Sequence, residues 1–130
     1  MRILKVFALF ALLHMAGWLA AHFYLRDRPT EVLVVVDTSY AMKPKFPAMQ
    51  QWIDDFSSSS RYQRISIGTD KAMLGPLDAL KSNSIIFRTA FGRMEMEHLQ
   101  RYLGVAASRK ILLSDGSVKP EGSGWELVTF

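Results

Sequence analysis

The stretch VLVVVDTSYAM, residues 32–42, runs from five apolar residues directly into an aspartate, a threonine and a serine. The apolar run is continuous and mostly β-branched, which is typical of a central parallel strand covered on both faces. The stretch therefore predicts a buried strand that ends at Asp37. What the Asp37 carboxylate and the two hydroxyl groups do at this strand end has to be answered from the rest of the chain.

The segment after this strand has the apolar spacing of a helix. Apolar side chains recur there at i, i+3, i+4 and i+7, which is the period of one helix face. These residues are Phe46, Met49, Trp52, Ile53 and Phe56. A second helix is predicted over residues 92–103, and its pattern predicts four buried residues. These are Phe91, Met94, Leu99 and Tyr102.

Four further short segments have the composition of strands. They are RISIGTD (64–70), SIIF (84–87), KILLSDG (110–116) and WELVTF (125–130). The order of strands and helices predicts an α/β domain with a small, mostly parallel sheet flanked by helices. Ligands of such sheets bind at the carboxyl ends of the strands. Two predicted strands end in a carboxylate beside a hydroxyl group, Asp37 with Ser39 and Asp115 with Ser114.

The formal net charge of +4 is concentrated at the N-terminal end of the 130 residues. Arg2, Lys5, Arg26 and Arg28 surround an apolar segment, whereas basic and acidic residues nearly balance from Pro29 onward. A nucleic-acid-binding domain is expected to carry a basic patch on its folded part, so we expect no nucleic-acid partner. The sequence contains no cysteine, which excludes disulfide bonds.

The apolar segment VFALFALLHMAGWLAAHFYL, residues 6–25, contains no Asp, Glu, Lys or Arg. About 20 apolar residues are what a helix needs to span a bilayer. A retained anchor and a cleaved signal peptide are both open. The length of the run and the poor match of LAAHF to an A-x-A cleavage site favour the anchor. We expect residues 1–28 to anchor the protein in the membrane by a single span, and residues 29–130 to form one domain. Charge bias across the span is slight, and the short N-terminal tail favours a non-cytoplasmic domain.

The motifs at the predicted strand ends resemble those of the von Willebrand factor A family. That family begins with a buried strand that runs into D-x-S-x-S, usually followed by Met, and here the stretch is DTSYAM, residues 37–42. Its later LLTDG-like strand end is similar to LLSDG, residues 112–116, and Thr89 occupies the position of a threonine that precedes a helix in the family. RISIGTDKAMLGPL, residues 64–77, is similar to the second strand and hairpin of the family. The resemblance covers most of residues 31–116.

The resemblance implies a metal-ion-dependent adhesion site that holds Mg²⁺ (or Mn²⁺). Its metal ligands would be Asp37, Ser39, Thr89 and Asp115. Mg²⁺ prefers octahedral oxygen ligands, keeps several waters and needs only one or two carboxylates. The sequence departs from the family at Ala41, which replaces the second serine of the motif, and at Tyr40, which replaces a small residue. The one strand after Asp115 also leaves out the family's last helices and edge strand.

Each candidate residue has a purely structural interpretation as well. Thr38 or Ser39 could cap the helix that follows them, and Thr89 could cap the predicted helix at residues 92–103. Asp115 and Gly116 could form an ordinary turn. The joint occurrence of these residues at strand ends, in the order of the family, favours the functional interpretation.

Three functions are open on this basis. The first is a membrane-anchored interaction or scaffolding module that binds a partner carboxylate through a divalent cation. The second is a phosphoryl-transfer hydrolase with Asp37 as nucleophile or metal ligand and Asp115 completing the metal site. The third is a metal-free structural subunit of a membrane complex. The sequence has no Ser-His-Asp arrangement or histidine cluster, which favours the non-enzymatic functions. We expect a protein partner, and possible self-association through the exposed strand WELVTF.

Overall fold

The computed structural model describes residues 1–120, 122 and 124–130. Its helices are α1 (Arg2–Asp27), α2 (Phe46–Ser59) and α3 (Met96–Gln100). Its strands are β1 (Thr30–Val36), β2 (Gln63–Thr69), β3 (Met73–Pro76), β4 (Arg109–Ser114) and β5 (Trp125–Thr129). Three 3-10 helices, Tyr40–Lys45, Leu77–Ala79 and Asn83–Phe87, complete the described elements.

The five strands form one mixed sheet in the order β3-β2-β1-β4-β5. β1 pairs in parallel with β2 and β4, and β4 pairs in parallel with β5. Among the described strands, only the β2–β3 hairpin is antiparallel. The predicted α/β class is therefore confirmed, with an antiparallel strand at one edge. In this doubly wound order the chain leaves β1 toward one side and later returns to β4 on the other, so the ends of β1 and β4 lie at a topological switch point.

The central strand β1 is buried on both faces, as its unbroken apolar run predicts. Successive side chains of a strand point to opposite faces. Val34 belongs to the hydrophobic cluster that contains Met49 and Ile53 of α2, whereas Val35 belongs to the cluster that contains Leu99 and Tyr102 on the other side of the sheet. Helices α2 and α3 therefore cover opposite faces of one sheet.

Tyr102 lies against β2 where that strand has a glycine. A Cβ atom built on Gly68 would lie 2.6 Å from the Tyr102 ring, so only a residue without a side chain lets the ring approach this closely. The Tyr102 hydroxyl donates to the carbonyl oxygens of Thr69 and Ala72. Burial raises the pKa of Tyr102 above its ordinary value, and the neutral phenol ties the β2–β3 turn to the chain after α3.

Two of the predicted elements are wrong. SIIF, predicted as a strand, lies in the 3-10 helix Asn83–Phe87, where Ile86 packs into the core on the α2 side. The predicted helix over residues 92–103 is only α3, residues 96–100. Gly92 has a φ of +70°, outside the helical region, so no helix begins there. Phe91 is 59% exposed and not buried as predicted.

The N-terminal helix α1 is longer at both ends than the predicted span. It has 26 residues, and none of them is buried. It is thus long and apolar enough to cross a membrane, and a signal sequence near the N-terminus can have the same length and composition. His22 Nδ1 lies 2.5 Å from the Tyr62 hydroxyl, directly before β2. The C-terminal end of α1 therefore lies at the amino ends of the strands.

Candidate functional site

Asp37 lies directly after β1 and joins the carboxyl ends of two strands. Its carboxylate is buried, with 2% of the residue exposed. Oδ1 accepts a hydrogen bond from the Ser39 backbone N–H (3.0 Å), and Oδ2 accepts one from the hydroxyl group of Ser114, the last residue of β4 (2.7 Å). The carboxyl ends of β1 and β4 are therefore joined by the contact between Asp37 and Ser114.

Asp115 lies at the rim of this arrangement and is exposed. Its Oδ1 accepts from the Ser117 backbone N–H (2.9 Å) and, at 3.4 Å, from the Ser114 hydroxyl. Hydrogen bonds from Ser117 hold the pKa of Asp115 below its ordinary value, so Asp115 is ionised at neutral pH. Gly116 has a φ of +86°. The turn that these contacts describe accounts for Asp115 by itself.

Capping does not account for Ser39 or Thr89. Ser39 precedes the 3-10 helix Tyr40–Lys45, but its side chain makes no cap hydrogen bond. The cap of α3 is Glu95, six residues after Thr89. Thr89 is exposed and, within the described part of the chain, forms no hydrogen bond to the other candidate residues. Its loop reaches the site through Gly92, whose carbonyl accepts from the Tyr40 N–H at 3.2 Å.

A third strand end, which the sequence analysis did not select, adjoins the Asp37 network through Thr38. Asp70 follows β2 and is buried, with 3% exposed. Its Oδ1 accepts from the Thr38 hydroxyl (2.6 Å) and from the Thr38 backbone N–H (3.1 Å). The available signal was the segment RISIGTD, a strand that runs into an aspartate as the first strand does at Asp37.

Lys71 places a fixed positive charge inside this network. Its Nζ lies 2.8 Å from the Thr38 hydroxyl and 2.9 Å from the Thr38 carbonyl oxygen. It also lies 3.0 and 3.2 Å from the two carboxylate oxygens of Asp70. One ammonium group is thus surrounded by four oxygen atoms, and it neutralises the buried carboxylate of Asp70.

No family model, curated protein or solved structure matches this chain. The von Willebrand factor A-like identity therefore stays a prediction from residues 31–116.

Few oxygen ligands for a divalent cation lie around Asp37. Ser39 and Asp115 could join Asp37 as oxygen ligands, while Ala41 supplies none. In the part of the chain that the structure describes, no three Asp, Glu or His side chains are grouped as metal ligands. The Lys71 ammonium group donates to Thr38, the residue after Asp37, and would repel a cation bound at Asp37. The residues present thus fit Mg²⁺ poorly, and the metal site stays a prediction.

Proposed function

We propose that this protein is a membrane-anchored interaction module that binds a partner protein at the carboxyl edge of its sheet. The observation that supports this most is the convergence of three strand ends, where two buried hydrogen-bonded pairs adjoin one another, Asp37 with Ser114 and Thr38 with Asp70. A buried polar network of this kind holds loops in a defined arrangement when its members are hydrogen-bonded. The carboxyl ends of the strands are where α/β sheets bind ligands.

The position of α1 supports the membrane part of the proposal. Arg28 and Pro29 separate α1 from β1, so the helix leads into the amino ends of the strands. β1 has seven residues, which corresponds to about 20 Å from one edge of the sheet to the other. The candidate site therefore faces away from α1. With α1 as a retained anchor and the short N-terminal tail in the cytoplasm, the site would be open to a partner on the non-cytoplasmic side.

A metal-bridged contact is the finer form of this proposal. Mg²⁺ or Mn²⁺ held by Asp37, Ser39 and Asp115 would offer an open coordination position to a partner carboxylate. A metal-free scaffold is the competing form, and the Lys71 ammonium group among four oxygen atoms favours it.

Phosphoryl transfer receives less support from the same geometry. A nucleophilic carboxylate needs an oxygen that faces the substrate. Both oxygens of Asp37 already accept hydrogen bonds, from Ser39 and from Ser114, and the residue is almost completely buried. Asp37 is therefore placed to hold the loops together.

Site-specific photocross-linking of the full chain in its native membrane tests the proposal. Tyr40 is 69% exposed beside the Asp37 network, and an aromatic photoreactive amino acid can replace it with little change in size. We expect a cross-linked protein at this position and none at the control position Gln51, an exposed residue of α2. Equal adducts at the two positions, or none, contradict the proposal. Loss of the adduct in EDTA supports the metal-bridged form, and its persistence supports the metal-free form.

A further inference from the structure

An open cleft of about 380 Å³ lies beside the Asp37 network, at the same edge of the sheet. It is bounded by the residues after β2, by the loop before α3 and by α3 with its C-terminal cap. Its lining residues are Asp70, Lys71, Phe91, Gly92, Arg93, His98 and Arg101. The cleft thus joins the buried Asp70–Lys71 pair to a surface of basic side chains.

Two positive charges of the cleft have no ion-pair partner among the residues that the structure describes. Lys71 and Asp70 form an ion pair at 3.0 Å and neutralise one another. Arg93 and Arg101 are exposed, and neither contacts a carboxylate among residues 1–120, 122 and 124–130. Arg101 donates one N–H to the Lys71 carbonyl oxygen. That bond holds the guanidinium group at the wall of the cleft, and a guanidinium group has five N–H donors in all.

Two further side chains of the cleft, His98 and Phe91, could also contact an acidic side chain. Nδ1 of His98 accepts the Glu95 backbone N–H at 3.0 Å, so the ring proton of the neutral imidazole lies on Nε2, which is a donor. The Phe91 ring lies 4.3 Å from Lys71 Nζ and offers an apolar surface to the methylene groups of an acidic side chain.

We propose that this cleft binds an aspartate or glutamate side chain of the partner protein directly, through the guanidinium groups of Arg93 and Arg101. Lys71, which is paired with Asp70, lines the same cleft. A guanidinium group matches the planar carboxylate with two parallel N–H donors. This inference rests on the proposed function and names the chemistry of the partner.

The distance of the cleft from α1 favours a protein ligand over a lipid headgroup. α1 joins the amino ends of the strands, whereas the cleft lies at their carboxyl ends, about 20 Å away along β1. A lipid phosphate at the end of a membrane-spanning α1 does not reach that far. A flexible acidic segment of a soluble or membrane-anchored protein does.

Binding of an acidic peptide to the full chain in phosphatidylcholine nanodiscs tests the inference. The probe is a fluorescein-labelled peptide with four glutamates around one phenylalanine, and its control has glutamines in their place. We expect the polarisation of the glutamate probe alone to rise at about 0.15 M salt, unchanged by EDTA. Arg93→Gln and Arg101→Gln should each weaken binding roughly ten- to hundredfold. Arg64→Gln should leave peptide binding unchanged. The substitution removes the same charge, but from an ion pair with Glu31 at the amino ends of the strands.

The outcomes separate this inference from the proposed function. Release of the glutamate peptide by EDTA, with Arg93→Gln binding as wild type does, overturns the direct contact and leaves a metal-bridged interaction module standing. Equal binding of both peptides, or of neither, overturns the inference, and the cross-linking experiment then decides the proposed function separately. If a lower concentration of inorganic phosphate than of free glutamate displaces the probe, the assignment of a carboxylate ligand is overturned. Arg93 is exposed, and its side chain forms no hydrogen bond or ion pair within the described residues, so its variant decides the matter if Arg101→Gln fails to fold.

Discussion

Replacing Lys71 by methionine tests how the candidate site is built. The substitution removes the ammonium group and keeps a long, apolar side chain of similar length. Asp70 then loses the cation that lies 3.0 Å from its Oδ2. It keeps two hydrogen bonds to Oδ1, from the backbone N–H and the hydroxyl group of Thr38. A buried carboxylate with two donors and no neutralising charge remains.

The expected loss of stability follows from the burial of the two partners. Removing one partner of a buried ion pair costs about 3–5 kcal/mol. The Lys71 side chain is 20% exposed and that of Asp70 is 3% exposed, and Thr38 still donates to the carboxylate. We therefore expect the lower end, about 3 kcal/mol. Asp70→Asn should cost less, about 1–2 kcal/mol, because the amide oxygen still accepts from Thr38 and Lys71 still donates to the Thr38 carbonyl.

A double-mutant cycle separates the pair from its surroundings. The double variant Lys71→Met, Asp70→Asn should be about as stable as Asp70→Asn alone, because no charge is then left buried. The free energy of unfolding is measured by urea titration of the full chain in detergent micelles, through the fluorescence of Trp52 and Trp125. A loss below about 1 kcal/mol for Lys71→Met, or strictly additive effects in the cycle, would refute the buried-pair argument.

The exposed ion pair between Arg64 and Glu31 provides the matched control. Its side chains are 59% and 40% exposed, and such pairs contribute about 0.2–1 kcal/mol. Arg64→Met should therefore cost much less than Lys71→Met in the same titration. Equal costs would mean that burial does not distinguish the two pairs.

Three further substitutions test the core, the sheet edge and the metal site. Gly68→Ala should cost about 1–3 kcal/mol, because the new Cβ would meet the Tyr102 ring at 2.6 Å, whereas Gly104→Ala meets open space; equal costs in urea titrations contradict this. Leu127→Lys on the edge strand β5 should reduce self-association in sedimentation equilibrium; a wild-type protein that stays monomeric contradicts it. Ala41→Ser should tighten Mg²⁺ binding in calorimetry by adding a hydroxyl ligand; no heat from either protein ends the metal prediction.

The elements that were predicted correctly have a local signal. The five apolar residues 32–36 specify a strand buried on both faces, and the apolar spacing from Phe46 to Phe56 specifies α2. SIIF has no such signal, because four apolar residues fit a strand or a helical turn equally well. In residues 92–103 the apolar spacing is helical, but Gly92 adopts a left-handed conformation and its carbonyl is held by the Tyr40 N–H. That contact joins residues distant in sequence, and no local pattern contains it.

The sequence by itself determined that two predicted strands end in carboxylates, at Asp37 and Asp115, and the segment that ends at Asp70 carried the same signal more weakly. Only the tertiary structure decided which of them are buried and what neutralises them. The parallel register that pairs Val36 with Thr69 brings Thr38 against Asp70 and carries Lys71 into the same network. The turn after β4 leaves Asp115 at the surface. Burial and charge balance depend on strand pairing between residues more than thirty positions apart, and such pairing is a property of the folded sheet and not of any local segment.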